Sequence, residues 1–585
     1  MIATIPSATP LRLLGRVLLL LVAASAAAAA AQSGSPVRAA KQLVVSANPH
    51  ASEAGAAILR AGGGAVDAAI AVQLVLTLVE PQSSGIGGGA FMLYYAAPEG
   101  RRAAAITAYE GRETAPATAT PDMFLDANGR AESFGNVGVG GLAVGVPGVL
   151  RMLELAHREH GRLPWSELFA PAIALAEQGF EVSPRLFQLL NGFKRFARAD
   201  DFRSHFYDAN GEPHPVGYKL VNPEYAAALR VLATGGAEPL YTGELAAAIA
   251  AKVQHNNVRP GRLTADDLAR YEAHESAPLC SPYRTWRVCG PQLPSSGGVT
   301  TQQVLGILAR FELAPLREEP VRAIHLFGEA SRLAFADRNL YLGDPAFVPA
   351  PVAELLDPSY LGSRAALIDP AKAMPSVAAG SPLPLAAWQY ASGTAAERPS
   401  TSHFSIVDSH GDAVAMTTSV QGAFGSQLMV GGFILNNQLT DFEYEPTSGG
   451  KPVANRVEGG KRPLSSMAPT MLLDERGRLR LLVGSPGGTR IIGFVAQSIV
   501  GFADWQLDVQ QAVAAPHFLA QDGPLELEED TAVAAHEAAL EALGHTVALR
   551  DLNSGLHAIA IDYTRKGRVL TGGVDPRREG AARGD

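Results

Sequence analysis

Three hydroxyl residues in a row, Ser400-Thr401-Ser402, head the most strand-like stretch of this chain. Residues 402–407 alternate apolar and polar, a Gly-containing turn follows, and 413–420 run back: the pattern of a β-hairpin. A three-residue loop at 409–411 sets Thr401 opposite Ser419, whereas a two-residue loop sets it opposite Val420. In either register the Ser419 hydroxyl or the Gln421 amide lies beside the start of the first strand. A threonine hydroxyl there is a candidate nucleophile, but it attacks only when a base takes its proton. Further along, Ser485-Pro486-Gly487-Gly488 offers two residues without side chains, which let backbone N–H groups approach a developing negative charge. Alone, such hydroxyl runs are mostly surface loops and such glycine pairs mostly plain turns.

Other groups carry less chemistry. His157 and His160 lie three apart on an expected helix, as in half a metal site, but no third ligand accompanies them and they read as a solvated helix face. The run Gly85-Ile86-Gly87-Gly88-Gly89 precedes a strand. A dinucleotide fingerprint follows a strand and opens a helix, so a nucleotide site is rejected. The two cysteines of the chain, Cys280 and Cys289, bracket Ser281-Pro282, which begin a turn, and a returning strand at 285–288. They are expected to face each other across a hairpin and to form a structural disulfide. No zinc ligand set is recognised and no cofactor is expected.

These residues need elements to position them. Helical periodicity marks 51–60, 67–79, 148–160, 165–178, 222–234, 243–254, 321–339 and 490–503. Strands are expected at 90–95, 402–407, 413–420, 432–436, 467–473 and 479–484, with further β segments near 545–562. The stretch 371–399 is rich in Ala, Pro, Ser and Gly and reads as exposed and mobile. Of 585 residues, 47% are hydrophobic, enough for a large core, and the net charge of -9 gives no electrostatic reason to hold nucleic acid. Arg12 and Arg16 precede an apolar run of about 15 residues that ends in alanines, too short to span a bilayer and shaped like a secretory signal. Residues 1–31 are therefore expected to be removed, leaving an exported protein, periplasmic or extracellular, without a stable membrane span.

Read in order, several short motifs reinforce one another: Asn48-Pro49-His50, the glycine run at 85–89, Gly111-Arg112-Glu113-Thr114-Ala115-Pro116, Pro294-Ser295-Ser296-Gly297-Gly298, Ser400-Thr401-Ser402-His403-Phe404-Ser405, Leu435-Asn436-Asn437-Gln438-Leu439-Thr440-Asp441-Phe442, Lys461-Arg462-Pro463-Leu464-Ser465-Ser466-Met467, and Gly484-Ser485-Pro486-Gly487-Gly488-Thr489-Arg490. Together they resemble the γ-glutamyltransferase (γ-glutamyltranspeptidase) family over nearly all of the chain after residue 31. The resemblance implies an α+β fold of the N-terminal-nucleophile type: a four-layer αββα sandwich of two mainly antiparallel sheets between helical layers. It implies self-cleavage between Ser400 and Thr401, leaving a large chain 32–400 and a small chain 401–585 in one intertwined unit. The cut would give Thr401 a free α-amino group, whose reference pKa of about 7.7–8.0 suits a base at neutral pH.

The resemblance also implies roles residue by residue. Thr401 is the nucleophile, Ser419 (where the family usually has Thr) orients it, and the Gly487 and Gly488 N–H groups form the oxyanion hole. Arg112, Ser465 and Ser466 hold the substrate α-carboxylate, and Gln438 and Asp441 the α-amino group. Two departures stand out. Gln421 replaces an Asn that contacts substrate in the best-known members, and the stretch from Asp441 to Ser465 is short, so Glu443-Tyr444-Glu445-Pro446 and Gly449-Gly450 form at most a reduced lid. The implied activity is hydrolysis or transfer of γ-glutamyl groups from glutathione and related compounds to water, an amino acid or a short peptide. The alternatives are a cephalosporin- or glutaryl-acylase-like amidase of the same fold, and an unprocessed, catalytically silent binding protein.

Overall fold

The central strands are apolar on both faces, so each sheet needs cover on both sides. On the strand Gly89–Ala96, Leu93 and Tyr95 enter one buried layer while Met92 and Tyr94 enter another. On Ala413–Ser419, Ala413 and Ala415 share the first layer, and Val414 and Met416 the second. In a computed structural model, which describes residues 36–382, 388–394 and 397–585, this demand is met by two seven-stranded sheets packed face to face.

One sheet runs, edge to edge, Ala581–Gly584, Leu43–Ser46, Ser402–Val407, Ala413–Ser419, Gly89–Ala96, Ala105–Gly111 and His274–Ser276. The other runs Val37–Ala39, Gly567–Val574, His557–Thr564, Leu479–Gly484, Thr470–Leu473, Trp286–Gly290 and Leu279–Tyr283. The pairings within both are antiparallel. Leu43, Val45, Leu93, Leu482, Ile559 and Leu570 fill the layer between them. Helices Pro49–Arg60, Ala65–Val79 and Val149–His160 cover the outer face of the first sheet. Ser296–Leu308, Pro320–Tyr341 and Ile491–Ala503 cover that of the second. Ala65–Val79 is apolar nearly all round and buried at every residue, as a helix must be when it lies between a sheet and other helices. The expected four-layer αββα sandwich is the observed fold.

The nucleophile hairpin adopts the three-residue loop: Ser402 pairs with Thr418 and Val407 with Ala413, and the Asp408 N–H closes the loop on the Asp412 carbonyl at 2.9 Å. Cys280 pairs with Cys289 and is disulfide-bonded to it. The turn of that hairpin lies later than expected, at Arg284 (φ 55°) and Thr285, with Ser281 and Pro282 inside the strand.

Other expectations change. His157 and His160 are not on a solvated face. His160 stacks on Tyr94 with ring centroids 3.9 Å apart and meets the Tyr109 hydroxyl at 2.9 Å, while His157 packs edge-on against Trp165. The stretch 371–399 is tied down where it is described: Gly380 donates to Asp337 at 2.7 Å, Trp388 packs on Tyr341, and Glu397 is held by Arg338. The strand expected at 432–436 is a two-residue pairing, Phe433–Ile434 with Met429–Val430. The chain does not finish its β structure near 562: Gly567–Val574 and Ala581–Gly584 add one strand to each sheet. Residues 1–31 lie outside the described residues, and among the latter no helix is long and apolar enough to cross a membrane.

Candidate active site

Thr401 sits one rung beyond the paired hairpin, 4% exposed, with its Oγ1 donating to Ser419 Oγ at 3.3 Å. Ser419 Oγ also accepts the Gln421 N–H at 2.8 Å. The glycine run on the neighbouring strand permits this placement: a Cβ on Gly88 would lie 2.0 Å from the Ser419 carbonyl oxygen. Thr401 has φ 106°, a region that a β-branched residue rarely occupies and that costs about 1–3 kcal/mol. It is held there from both sides. Ser400 Oγ donates to the Gln82 carbonyl at 2.7 Å, and Arg578 donates to the Thr401 carbonyl at 3.3 Å.

The carbonyl oxygen of Ser400, the one across the bond expected to break, accepts the Gly487 N–H at 3.3 Å. Gly487 has φ 141° and Gly488 φ 61°, and a Cβ on Gly488 would come within 2.5 Å of the Glu397 carbonyl oxygen. Both conformation and space therefore call for glycine. A hydroxyl and a backbone donor thus stand together around one peptide bond.

From Ser419 a hydrogen-bonded path leads to Asp441, at the end of the short 3-10 turn Gln438–Asp441. Asp441 Oδ1 accepts Gln421 Nε2 at 2.8 Å, and Oδ2 accepts Gln438 Nε2 at 3.0 Å and Arg112 Nη2 at 2.7 Å. The side-chain amide oxygens (Oε1) of Gln421 and Gln438 are buried and have no donor among the described residues. Two such acceptors beside a carboxylate make a receptor for an ammonium group. Arg112, fully buried, also donates to the carbonyls of Pro463 (3.0 Å) and Leu464 (2.8 Å). Its Nη1 has no hydrogen-bond acceptor among the described residues and lies 3.5 Å from Glu113. Burial pushes the Glu113 carboxyl up to about 8, against the pull of Arg112.

The two serines differ. Ser465 Oγ accepts the Met467 N–H at 3.1 Å and caps its own turn. Ser466 turns to a carboxylate: its N–H donates to Glu397 at 2.9 Å and its hydroxyl at 2.7 Å, while Arg338 Nη2 reaches Glu397 at 3.0 Å and Ser466 Oγ at 3.1 Å. Sequence reasoning missed Glu397, Arg338 and Arg578. Arg338 shares the buried face of the helix Pro320–Tyr341 with Glu329 and Asp337, but that helix also carries Arg322, Arg332 and Asn339, so no local pattern singles it out. Glu397 lay in a stretch read as loose, and no local pattern marks it. The segment between Asp441 and Ser465, expected to form a reduced lid, carries a two-residue hairpin, Thr447–Ser448 with Lys451–Pro452. Tyr444 leans on Phe124 and, with Phe134, Arg398 and Thr440, lines a cleft of about 370 Å³ next to Asp441.

Two antiparallel sheets between helical layers, with Thr401 opening a central strand, define the class of N-terminal-nucleophile hydrolases. The family profile for gamma-glutamyltranspeptidase matches residues 51–584. The chain is 36% identical over 555 residues to the glutathione hydrolase proenzyme of Bacillus subtilis (strain 168), covering 93% of this chain and 91% of that protein. It is 35% identical over 554 residues to the acylase ACY 1 proenzyme of Pseudomonas sp. (strain SE83), covering 93% and 94%. The solved cephalosporin acylase from Bacillus halodurans superposes with a TM-score of 0.81 at 26% identity, over 94% of this chain and 97% of that one. The chain belongs to the γ-glutamyltranspeptidase family. It is an enzyme of hydrolysis and acyl transfer.

Proposed function

We propose that the chain is made as a precursor, is exported behind residues 1–31, cuts itself between Ser400 and Thr401, and then hydrolyses or transfers γ-glutamyl groups, glutathione among its substrates. The observation that carries this reading is the Ser400 carbonyl oxygen on the Gly487 N–H, beside a Thr401 hydroxyl bonded to Ser419. In the cut, Thr401 Oγ1 adds to the Ser400 carbonyl carbon as Ser419 draws on its proton. The oxyanion collects on the Gly487 N–H. The Ser400–Thr401 C–N bond then breaks as the proton that left Oγ1, relayed through the Ser419 hydroxyl, reaches the Thr401 nitrogen, and Ser400 is left as an ester on Oγ1. Water hydrolyses the ester, freeing the Ser400 carboxylate, the Thr401 hydroxyl and the Thr401 amine.

The new amine then serves each turnover as base. It takes the Oγ1 proton as Oγ1 attacks the γ-amide carbonyl, Gly487 and Gly488 hold the oxyanion, and the leaving amine receives the proton. Water or an amine acceptor releases the γ-glutamyl ester. Asp441 with the orphan oxygens of Gln421 and Gln438 receives the α-ammonium, and Arg112 and Ser466 the α-carboxylate.

The decisive experiment is mass spectrometry of wild-type and Thr401→Ala protein with a γ-glutamyl-anilide assay. Wild type should yield two chains divided at Thr401, and Thr401→Ala one inactive chain; active wild-type protein with the 400–401 bond intact would refute the mechanism. Sequencing of the large chain's first residue tests removal of 1–31. A glutaryl-acylase reading is favoured by one observation: both Asp441 oxygens are already taken by Gln421, Gln438 and Arg112. A glutaryl-anilide turned over faster than the γ-glutamyl-anilide would favour that reading.

A further inference from the structure

Glu397 lies four residues before Thr401, yet its side chain is nine-tenths buried and fully engaged. Its carboxylate accepts the Ser466 N–H (2.9 Å), the Ser466 hydroxyl (2.7 Å) and Arg338 Nη2 (3.0 Å). Arg338 is itself oriented by Ser296, whose hydroxyl accepts Arg338 Nε at 2.9 Å and donates to the Ser465 carbonyl at 2.7 Å. The backbone of Glu397 and Arg398 runs so close over Gly488 that their carbonyl oxygens would lie 2.5 and 2.8 Å from a Cβ there. At the other end of the segment, Ser400 is pinned to Gln82 and Gly487. Four residues are thus anchored at both ends, and the carbonyl to be attacked lies at the second anchor. A charge-assisted anchor of this kind is directional, and attack on a carbonyl tolerates little misplacement.

We propose that Glu397 is a positioning residue for self-cleavage: its carboxylate, docked on Ser466 and Arg338, fixes residues 397–400 across Gly488 so that the Ser400 carbonyl meets the Gly487 N–H. The inference rests on the self-cleavage reading above. It adds that in the uncut chain the Glu397 carboxylate occupies the Ser466 donors that the reading above gives to the substrate carboxylate. The groups facing Glu397 are Arg338 from the helix Pro320–Tyr341, Asp441 from the 3-10 turn, and Arg112 after the strand Ala105–Gly111. Burial first, and the negative Asp441 next, push the Glu397 carboxyl above the usual carboxylate range, against Arg338 and Arg112.

The test follows the appearance of the two chains on denaturing gels over time and pH, for wild type, Glu397→Gln, Glu397→Asp and Glu397→Ala, with folding checked by thermal melting of each change in the uncut Thr401→Ala background. At neutral pH Glu397→Ala and Glu397→Gln should cut at least tenfold more slowly, with Glu397→Asp partly restored. The wild-type rate should fall with acid and converge on that of Glu397→Gln, which carries the uncharged side chain throughout. If Glu397→Ala melts early, the isosteric Gln variant decides. Folded variants that cut at the wild-type rate, or a Gln variant slowed by the same factor at every pH, would overturn the positioning role. A wild-type chain that never cuts removes the reading on which this inference rests.

Discussion

Ser419 gives the Thr401 hydroxyl its acceptor and takes the buried Gln421 N–H on the same oxygen. Ser419→Ala therefore removes an orienting partner and strands a buried donor. The expected result is slower cutting on denaturing gels and, in the chains that do cut, a fall in kcat of about 10–100-fold with the smaller change in KM, because the hydroxyl orients the nucleophile rather than the substrate. Arg112 acts at the other end. Its fork holds Asp441 and two backbone carbonyls at once, a geometry that an ammonium cannot copy. Arg112→Lys is expected to raise KM by about tenfold or more, with the smaller effect on kcat. A variant with unchanged KM would remove Arg112 from substrate binding.

At the scale of elements, two turns set the site. The turn through Gly487 and Gly488 must pass beneath residues 397 and 398, so Gly488→Ala meets both a close backbone contact and a φ of 61°. Its expected outcome is a folded but uncut chain, seen as a single band. The second turn precedes the strand His557–Thr564. There the Asp575 carboxylate accepts the N–H groups of Gly555 (2.9 Å) and Leu556 (3.0 Å), Arg577 at 3.0 Å, and the Ser554 hydroxyl. This cluster leads directly into Arg578, which touches the Thr401 carbonyl. Burial alone would raise the Asp575 pKa, but Arg577, His517 and the Ser554 hydrogen bond bring it down to about 2. A carboxyl depressed in the folded state contributes stability above its unfolded pKa of about 3.9, and that stability is lost as pH falls toward 2. Wild type should lose about 2 kcal/mol from this group between pH 4 and pH 2, with the rest lost only below that. Asp575→Asn should be less stable at neutral pH and lack this component of the acid response in denaturant titrations.

Over the whole molecule, the two expected chains share both sheets. Leu43–Ser46 lies between Ser402–Val407 and Ala581–Gly584, and Thr470–Leu473 pairs with Trp286–Gly290. Separating them would expose unpaired strand edges and the apolar layer between the sheets. After cutting, the expected outcome is two bands under denaturing conditions but one species of full mass by native mass spectrometry. The Cys280–Cys289 bridge closes a short loop at one edge of the second sheet, remote in topology from the Thr401 hairpin. Reduction should cost about 2–3 kcal/mol of stability and leave turnover unchanged. Equal melting temperatures with and without reductant would count against that contribution.

Local pattern determined much. A period of two and a Gly-containing loop placed Thr401 beside Ser419 or Val420, leaving the structure to choose the Ser419 register, while helical periodicity located the long outer helices and the short hairpin brought Cys280 to Cys289. These features depend on neighbours a few residues apart, where spacing and geometry are the same thing. The tertiary structure alone decided which partner a charge would find. Glu397 reached Arg338 and Ser466, His160 left solvent for Tyr94 and Tyr109, and Ala581–Gly584 returned to the edge beside Leu43–Ser46. Such contacts join residues scores or hundreds of positions apart, and they form because a buried charge or an open strand edge must be satisfied by whatever the packed layers bring near it.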